Sequence, residues 1–192
     1  TTFKFIEDVF TEVMALFPAK YIHGGGDEVD KSYWKKCSNC QNRMKNYSLK
    51  DENELQSYFI KRIALFLEKN NRILVGWDEI LEGGLAPNAA VMSWRGEAGG
   101  IEAAKSGHYV VMSPGSHCYL DHYQADPASQ PLAIGGFTSL AKIYSYEPVP
   151  AALNADEAKY IMGAQGNVWT EYMPNSAHVE YMIYPRAAAL SE

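Results

Sequence analysis

Two adjacent carboxylates, Asp27 and Glu28, directly follow the glycine run Gly24 to Gly26. Like charges held a few ångströms apart repel, so one carboxyl of such a pair tends to keep its proton. One group can then donate a proton to a leaving oxygen while the other stays ionised, which suits glycosidic bond cleavage. Asp78 and Glu79 form a second pair with the same chemistry, and spacing alone does not rank the two pairs.

Three of the four tryptophans, Trp77, Trp94 and Trp169, lie next to polar residues just after predicted strands. A tryptophan at the end of a strand seldom finds a complete packing shell, and flat indole walls suit the apolar faces of a sugar ring. For each tryptophan, packing at the mouth of the fold is an equally good interpretation. For His23, a hydrogen bond to the local structure is favoured over a direct catalytic role.

Apolar periodicity predicts the elements that position these residues. A spacing of three or four predicts helices over Phe3 to Phe17 and Leu55 to Leu67, with shorter helical segments at Gly100 to Lys105, at Asp156-Glu157 and from Asn175 onward. Apolar runs predict five strands, at Tyr21-Ile22, Ile73 to Val75, Ala90 to Trp94, Tyr109 to Met112 and Tyr160 to Ala164. The stretch from Asp121 to Pro150 is predicted to be irregular.

Strands that are apolar on both faces and alternate with helices are typical of a parallel α/β sheet, either doubly wound or closed into a barrel. In both folds the loops that leave the carboxyl ends of the strands converge on one face. A (β/α)8 barrel takes about 250 residues. Five β/α units therefore fit the 192 residues only if the first three strands lie outside the sequence. Because the helical pattern starts at once after Thr1, we expect the sequence to begin inside a longer protein.

Composition and spacing argue against several kinds of partner. The net charge of -6 and the absence of a basic stripe argue against nucleic acid. No apolar run approaches the ~18 residues of a membrane span, and the histidines lack metal-ligand spacing, so no membrane association, metal or cofactor is expected. Cys37 and Cys40 form a C-x-x-C without a second pair, which favours a local disulfide or two free thiols in a loop over metal or redox work.

The segment His23-Gly24-Gly25-Gly26-Asp27-Glu28 resembles the H-x-G-G-D-E signature of the family 20 glycoside hydrolases, the β-N-acetylhexosaminidases. Four later segments are similar to that family's strand-end motifs and occur in the same order: Gly76 to Glu79, Ser93 to Gly96, Tyr119 to Asp121 and Gly166 to Glu171. Together the five motifs span nearly the whole chain.

The resemblance implies that residues 1–192 are part of a catalytic (β/α)8 TIM barrel, truncated to about its last five β/α units. It implies hydrolysis of terminal β-linked N-acetylhexosamine by a retaining, substrate-assisted mechanism, in which the 2-acetamido oxygen of the sugar is the nucleophile. Glu28 would protonate the leaving oxygen and later activate water, and Asp27 would hold the acetamido N–H. Asp78 and Glu79 become part of a supporting loop.

The same resemblance implies roles for further residues. Tyr119 would donate a hydrogen bond to the acetamido oxygen, while Asp121 and Glu171 would bind ring hydroxyls. The cage around the sugar would be formed by Trp77, Trp94 and Trp169. An arginine that the family uses from its first barrel strand lies outside the sequence, and Arg95 is not given its role. A periplasmic, secreted or lysosomal location is expected from the resemblance.

Other hypotheses remain open. The chain could be an inactive fragment whose open sheet edges pair with a second copy to form a homo-oligomer. It could be a carbohydrate-binding barrel without catalysis, although the set of Asp27, Glu28 and Tyr119 argues against this. A barrel hydrolase that uses two enzyme carboxylates is a fourth hypothesis, and it would not need an acetamido group on its substrate.

Overall fold

The computed structural model describes residues 2–192 of the chain. Its contacts divide the chain into two compact units, the first ending at Met92 and the second running from Ser93 to Glu192. The five predicted strands are all present: β1 (Tyr21–His23), β2 (Ile73–Trp77), β3 (Ala90–Ser93), β4 (Val110–Met112) and β5 (Ile161–Ala164). Within each unit, strands that are neighbours in the sheet are also neighbours along the chain.

The first unit is built around parallel pairing of β1 with β2 and of β2 with β3. Tyr21 is opposite Ile73, and Val75 is opposite Ala90. Its helices are α1 (Thr2–Leu16), α2 (Ser32–Lys36), α3 (Ser38–Asn46) and α4 (Glu52–Lys69), and a 3-10 turn covers Asp78–Leu81. The first helix ends at Leu16, one residue before the predicted end at Phe17, and Pro18 follows, which cannot continue a helical hydrogen-bond ladder.

Helix α4 has clear signals at both ends. The Asp51 side chain accepts a hydrogen bond from the Glu54 amide at 2.9 Å, and the Glu54 carboxylate accepts from the Lys50 amide at 2.8 Å, a reciprocal cap of the first turn. Past the last turn Asn71 takes a left-handed conformation with φ of 58°. The helix buries a stripe made of Leu55, Gln56, Ser57, Ile60, Ile63 and Leu67. Each buried leucine or isoleucine contributes about 1.5–3 kcal/mol relative to an exposed one.

The second unit contains the parallel pair β4 and β5, with Val110 opposite Ile161 and an irregularity after this pair. Its helices are α5 (Ala98–Lys105), α6 (Leu140–Tyr144), α7 (Ser176–Ile183) and α8 (Arg186–Ser191), and 3-10 turns cover Pro127–Ser129 and Ala158–Tyr160. No helix in residues 2–192 is both long and apolar enough to cross a membrane.

Several predicted elements need correction. The helices α2 and α3 were not predicted, because their sequences lack an apolar period, and Met44 is the one buried residue of the two. The stretch from Asp121 to Pro150 is not wholly irregular, since it holds α6 and a 3-10 turn. The predicted final helix is two helices, α7 and α8, separated at the Tyr184-Pro185 bond. The turn predicted at Asp156-Glu157 begins at Ala158.

Of the two alternatives predicted for Cys37 and Cys40, the structure has the free thiols and not the local disulfide. The predicted loop setting is wrong, because Cys37 caps α3 and Cys40 is inside that helix. A hydrogen bond between the two thiols lowers the pKa of Cys37 and raises that of Cys40.

Candidate active site

The loop that carries Asp27 and Glu28 leaves the carboxyl end of β1 and is fixed mainly by its own backbone. The Gly24 amide donates to the Val75 carbonyl at 2.8 Å, which extends the pairing of β1 with β2 by one residue. The Gly25 carbonyl then accepts from the Trp77 amide at 3.0 Å. These bonds hold the first half of the loop against the end of β2, so that the carboxylate pair projects from a rigid base.

Glycine is required where this loop passes the 3-10 turn after β2. A Cβ atom on Gly26 would lie 2.6 Å from Cγ2 of Ile80, and one on Gly76 would lie 2.8 Å from the same atom. Gly26 also has a φ of 104°, which is unfavourable for residues with a side chain. Ile80 is fully buried, so its side chain has little room to move. Close packing of the loop backbone against this side chain therefore fixes the position of the loop.

Asp27 and Glu28 are both exposed, so a ligand in solution could reach both carboxylates. Glu28 has a φ of 49°, in the left-handed region where a non-glycine residue costs about 1–2 kcal/mol. Such strain persists only where the surrounding structure imposes it, and it is frequent at functional sites. The loop therefore presents the Glu28 carboxyl in a conformation that the free chain would rarely adopt.

His23 and Trp77 form an aromatic pair at the ends of β1 and β2. Their ring centroids are 4.8 Å apart at an interplanar angle of 60°, and Trp77 is 8% exposed. His23 Nδ1 accepts a hydrogen bond from the Gly25 amide at 3.1 Å, the local structural role that the sequence favoured. Burial lowers the pKa of His23 and the nearby Asp27 carboxylate opposes this shift. A neutral ring matches the acceptor role of Nδ1.

Gln56, a buried residue of α4, supports the loop after β1 and was missed by the sequence analysis. Its Nε2 donates to the Gly26 carbonyl at 2.6 Å, directly before Asp27, and the side chain is 2% exposed. A signal was available, because Gln56 shares the helical register of the buried Ile60 and Ile63. A polar residue on an apolar stripe is costly unless it has a specific partner.

The second carboxylate pair, Asp78 and Glu79, differs in exposure from the pair Asp27 and Glu28. Asp78 is 3% exposed and Glu79 is 7% exposed, and both lie in the 3-10 turn that also contains Ile80. Asp27 and Glu28, by contrast, are open to solvent. Burial favours a supporting role for Asp78 and Glu79 and supports the choice of the first pair.

In the second unit, Trp94 follows β3 along the chain, Tyr119 follows β4, and their side chains face one another. Their rings are stacked, with centroids 6.4 Å apart and an interplanar angle of 23°. Both line a cavity of about 320 Å³, together with Arg95, Gly96, Gly115, Ser116 and His122. Two of the predicted site residues thus border one concave surface, of a size that accepts a small ligand.

The segment with Tyr119 and Asp121 pairs with the loop that follows β5. Tyr119 forms an isolated parallel bridge with Asn167, and the Leu120 amide donates to the Asn167 carbonyl at 2.8 Å. Trp169 and Glu171, on the same loop after β5, are exposed, with Trp169 at 41%. Asn167, two residues before Trp169, is therefore hydrogen-bonded to the segment that carries Tyr119.

Asp121 is the most unusual carboxylate among the predicted residues. It is 4% exposed, and within residues 2–192 its Oδ1 atom has no hydrogen-bond partner. Burial raises the pKa of Asp121 to about 6, and the negative charge of Glu171 adds to the rise, while Arg186 opposes it. A buried acceptor without a partner is costly, and a ligand hydroxyl would satisfy it.

Arg186, at the start of α8, is the second residue that the sequence analysis missed. It is a fully buried charged side chain, and it donates to the carbonyls of Leu120 and His122 on either side of Asp121. No pattern around Arg186 indicated this role, since it stands before a plain run of alanines. Among residues 2–192, no group of three or more histidine, cysteine or acidic side chains is placed to hold a metal ion.

Comparison with known proteins identifies similar molecules. Residues 1–192 match the family model described as glycosyl hydrolase family 20, catalytic domain. A beta-hexosaminidase of Porphyromonas gingivalis is 55% identical over 193 residues, covering 100% of this chain and 25% of that protein. A beta-hexosaminidase of Akkermansia muciniphila is 34% identical, covering 98% and 38%.

Solved structures give the same result. The GH20 exo beta-N-acetylglucosaminidase of Vibrio harveyi, in complex with N-acetylglucosamine, matches with a TM-score of 0.85 at 33% identity, covering 99% of this chain and 30% of that one. The chain thus spans well under half the length of these relatives. The predicted fold class, an α/β barrel truncated to about five β/α units, is confirmed, as is the predicted family resemblance.

Proposed function

This chain belongs to glycosyl hydrolase family 20, and we propose that the full-length protein hydrolyses terminal, non-reducing β-linked N-acetyl-D-hexosamine, GlcNAc or GalNAc. The observation that carries the proposal is the exposed Asp27-Glu28 pair, held at the end of β1 by backbone bonds, glycine packing and Gln56. A general acid must be exposed to substrate and fixed in place. Residues 1–192 would be one part of the catalytic barrel domain.

The proposed reaction is substrate-assisted and retains the anomeric configuration. The 2-acetamido oxygen of the sugar attacks the anomeric carbon and forms an oxazolinium ion, while Glu28 donates its proton to the departing glycosidic oxygen. Glu28 then takes a proton from water as the water opens the oxazolinium ion. Asp27 accepts a hydrogen bond from the acetamido N–H and stabilises the positive charge that develops there.

The second unit would supply recognition. Tyr119 would donate a hydrogen bond to the acetamido oxygen and fix it for attack, and its stacking with Trp94 supports this by limiting the rotation of the phenol. Asp121 and Glu171 would accept hydrogen bonds from ring hydroxyls. Trp94 and Trp169, together with Trp77 from the first unit, would form the aromatic walls around the sugar and its acetamido methyl group.

The role of the acetamido group can be tested with paired substrates. The full-length protein should cleave 4-nitrophenyl N-acetyl-β-glucosaminide and leave 4-nitrophenyl β-glucoside almost intact, because the latter carries no internal nucleophile. Proton NMR of the first product should show the β anomer. Comparable cleavage of both substrates would instead favour a hydrolase with two enzyme carboxylates, and first release of the α anomer would contradict retention.

Inactivity of the isolated chain is a second proposal, favoured because the 192 residues span a quarter of the Porphyromonas gingivalis relative. Open sheet edges would then pair with a second copy. Turnover by the isolated chain at the rate of the full-length protein would contradict the inactivity, and a monomer in sedimentation velocity would contradict the pairing. A periplasmic, secreted or lysosomal location stays a prediction from the family resemblance.

A further inference from the structure

Arg186 uses every donor of its guanidinium within the protein interior. Nη1 donates to the carbonyls of His122 at 3.0 Å and Thr138 at 2.9 Å. Nη2 donates to Leu120 and to Met182, the latter at 2.6 Å, and Nε donates to Met182 at 3.1 Å. An arginine has five N–H donors in a rigid planar fork. Here that fork joins four main-chain positions from three separate segments.

The cost of this arrangement indicates that it has a purpose beyond packing. A buried cation loses its hydration, and main-chain carbonyls replace only part of it. Burial lowers the pKa of Arg186 to about 10, with the Asp121 carboxylate opposing the shift. Buried apolar side chains of similar size often stabilise a protein equally well or better. Stability alone therefore does not account for Arg186.

Two of the bonds flank one residue of the proposed site. Leu120 and His122 are the neighbours of Asp121, so Arg186 fixes the carbonyls on both sides of that residue. The backbone on both sides of the carboxylate cannot rotate without breaking a charge-assisted hydrogen bond. Arg186 thus fixes the backbone from which the Asp121 side chain projects, while the Oδ1 atom of that side chain has no hydrogen-bond partner within residues 2–192.

The ties extend from Asp121 to the rest of the segment. The Thr138 hydroxyl bonds to Nδ1 of His122 at 3.0 Å, and the His122 ring packs at 5.4 Å from the Tyr119 ring. Arg186 also bonds to the Thr138 carbonyl. Movement of the guanidinium would therefore displace Asp121 through the carbonyls of Leu120 and His122, and it would displace Tyr119 through the His122 ring.

We propose that Arg186 is a positioning residue, which fixes the backbone around Asp121 so that Asp121 and Tyr119 meet the sugar in one orientation. The proposal rests on the proposed function of these two residues. The guanidinium does not touch the substrate and acts through the carbonyls of Leu120 and His122. A backbone that is already fixed on both sides of Asp121 avoids part of the ordering cost when the sugar binds.

The test compares Arg186→Lys and Arg186→Met in the full-length protein with 4-nitrophenyl N-acetyl-β-glucosaminide. Lysine keeps the charge but offers three donors on a mobile stem instead of a planar fork. The kcat/KM of Arg186→Lys should fall on the order of 10- to 100-fold. The pH at which KM begins to rise on acidification should stay unchanged. Arg186→Met should lower kcat/KM at least as far. It should also shift the acidic rise in KM to higher pH, because Asp121 loses the positive charge that lowers its pKa and keeps the negative charge of Glu171 that raises it.

Thr138→Val is the matched control. It removes the hydroxyl bond to His122 but keeps the Thr138 carbonyl that Arg186 uses. The control should lose only a few-fold in kcat/KM, roughly the effect of one neutral hydrogen bond. A loss equal to that of Arg186→Lys would overturn the proposal, as would an Arg186→Lys enzyme that melts earlier but keeps the kcat, KM and pH profile of the wild type.

Two structural measurements separate this proposal from the proposed function. A crystal structure of Arg186→Lys should show Asp121 displaced by about 1 Å or more, a shift of the size that costs activity, and an unmoved segment overturns the proposal whether or not the protein is a glycosidase. If the variant does not fold, hydrogen exchange of the wild type decides. The Leu120 and Thr138 amides should exchange only together with α8, and fast exchange of both beside a protected α8 overturns the proposal.

Discussion

The loop after β1 and the segment after β4 are held in place in different ways. The first is fixed by its own backbone, through bonds of Gly24 and Gly25 to β2 and its end and through close packing of Gly26 on Ile80. The second is fixed by the side chain of Arg186, which follows it by more than sixty positions. The carboxylates of the first are exposed, whereas Asp121 in the second is buried.

The difference matches the two kinds of work that we propose. A group that transfers protons must be reached by the leaving oxygen and by water, so it needs exposure on a stiff base. A group that reads hydroxyls benefits from burial, because a hydrogen bond is stronger where water is excluded. Local backbone restraint supplies the first requirement, and a buried long-range anchor supplies the second.

The largest expected effect is at Glu28. Glu28→Gln in the full-length protein keeps the shape but removes the transferable proton, and kcat/KM on 4-nitrophenyl N-acetyl-β-glucosaminide should fall by ~10²- to 10⁴-fold. Asp30→Asn is the control, since Asp30 is an exposed acid in the same loop that accepts from the Ser32 amide, which asparagine can also do. Unchanged turnover in Glu28→Gln would remove the acid role.

Gln56 tests whether the loop after β1 depends on side-chain support from α4. Gln56→Met removes the donor to the Gly26 carbonyl, so the loop should loosen and kcat should fall roughly 10- to 100-fold. Ser57→Ala is matched, because Ser57 is buried on the same helix but bonds to the Gly84 carbonyl. Both variants should lose about 1–3 kcal/mol in denaturant unfolding, and equal kcat in the two would show that Gln56 has no positioning role.

Glycine packing at Gly26 should matter more than backbone conformation alone. Gly26→Ala places a Cβ against Ile80 at a φ of 104°, whereas Gly135→Ala has a φ of 128° with nothing within 4 Å of the new atom. Both changes carry the conformational cost, and Gly26→Ala should lose a further ~1–3 kcal/mol from overlap. Urea titration measures the free energy of unfolding of each variant. Equal losses of stability in the two variants would mean that the Ile80 side chain moves aside without cost.

The smallest effect concerns the pH dependence of Asp121. As pH falls through about 6 its carboxylate takes up a proton and loses a charged acceptor, so KM should rise. Glu171→Gln removes a charge that raises the pKa of Asp121, and the rise in KM should therefore begin at lower pH. Initial rates between pH 4 and 8 measure this, and an unmoved limb would show that the two carboxylates do not interact.

The same shift has a consequence for stability. The pKa of Asp121 is higher in the folded protein than the usual value near 3.8, so folding favours the protonated form and the group opposes folding as pH rises from about 4 to 6. Asp121→Asn should therefore raise the melting temperature at pH 7 and change it little near pH 4. An equal change at both pH values would contradict the raised pKa.

Much of the fold could be predicted from the sequence. All five strands and the helices α1, α4 and α5 were predicted to within a few residues, because apolar periodicity is a local signal. The polar helices α2 and α3 were missed because such helices form without an apolar stripe. Their stability comes from contacts of the two helices with one another and of α3 with α4, which no periodicity records.

The sequence by itself determined the acid loop, since glycine freedom, the strand before it and the adjacent carboxylates are all encoded within a few residues of one another. Only the tertiary structure decided which groups hold the loops: Gln56 lies 30 positions from Gly26, and Arg186 lies 66 positions from Leu120. The physical reason is that every residue carries the same main-chain carbonyl acceptor, whatever its side chain. Its partner is fixed by the packing of distant segments and leaves no pattern in the chain.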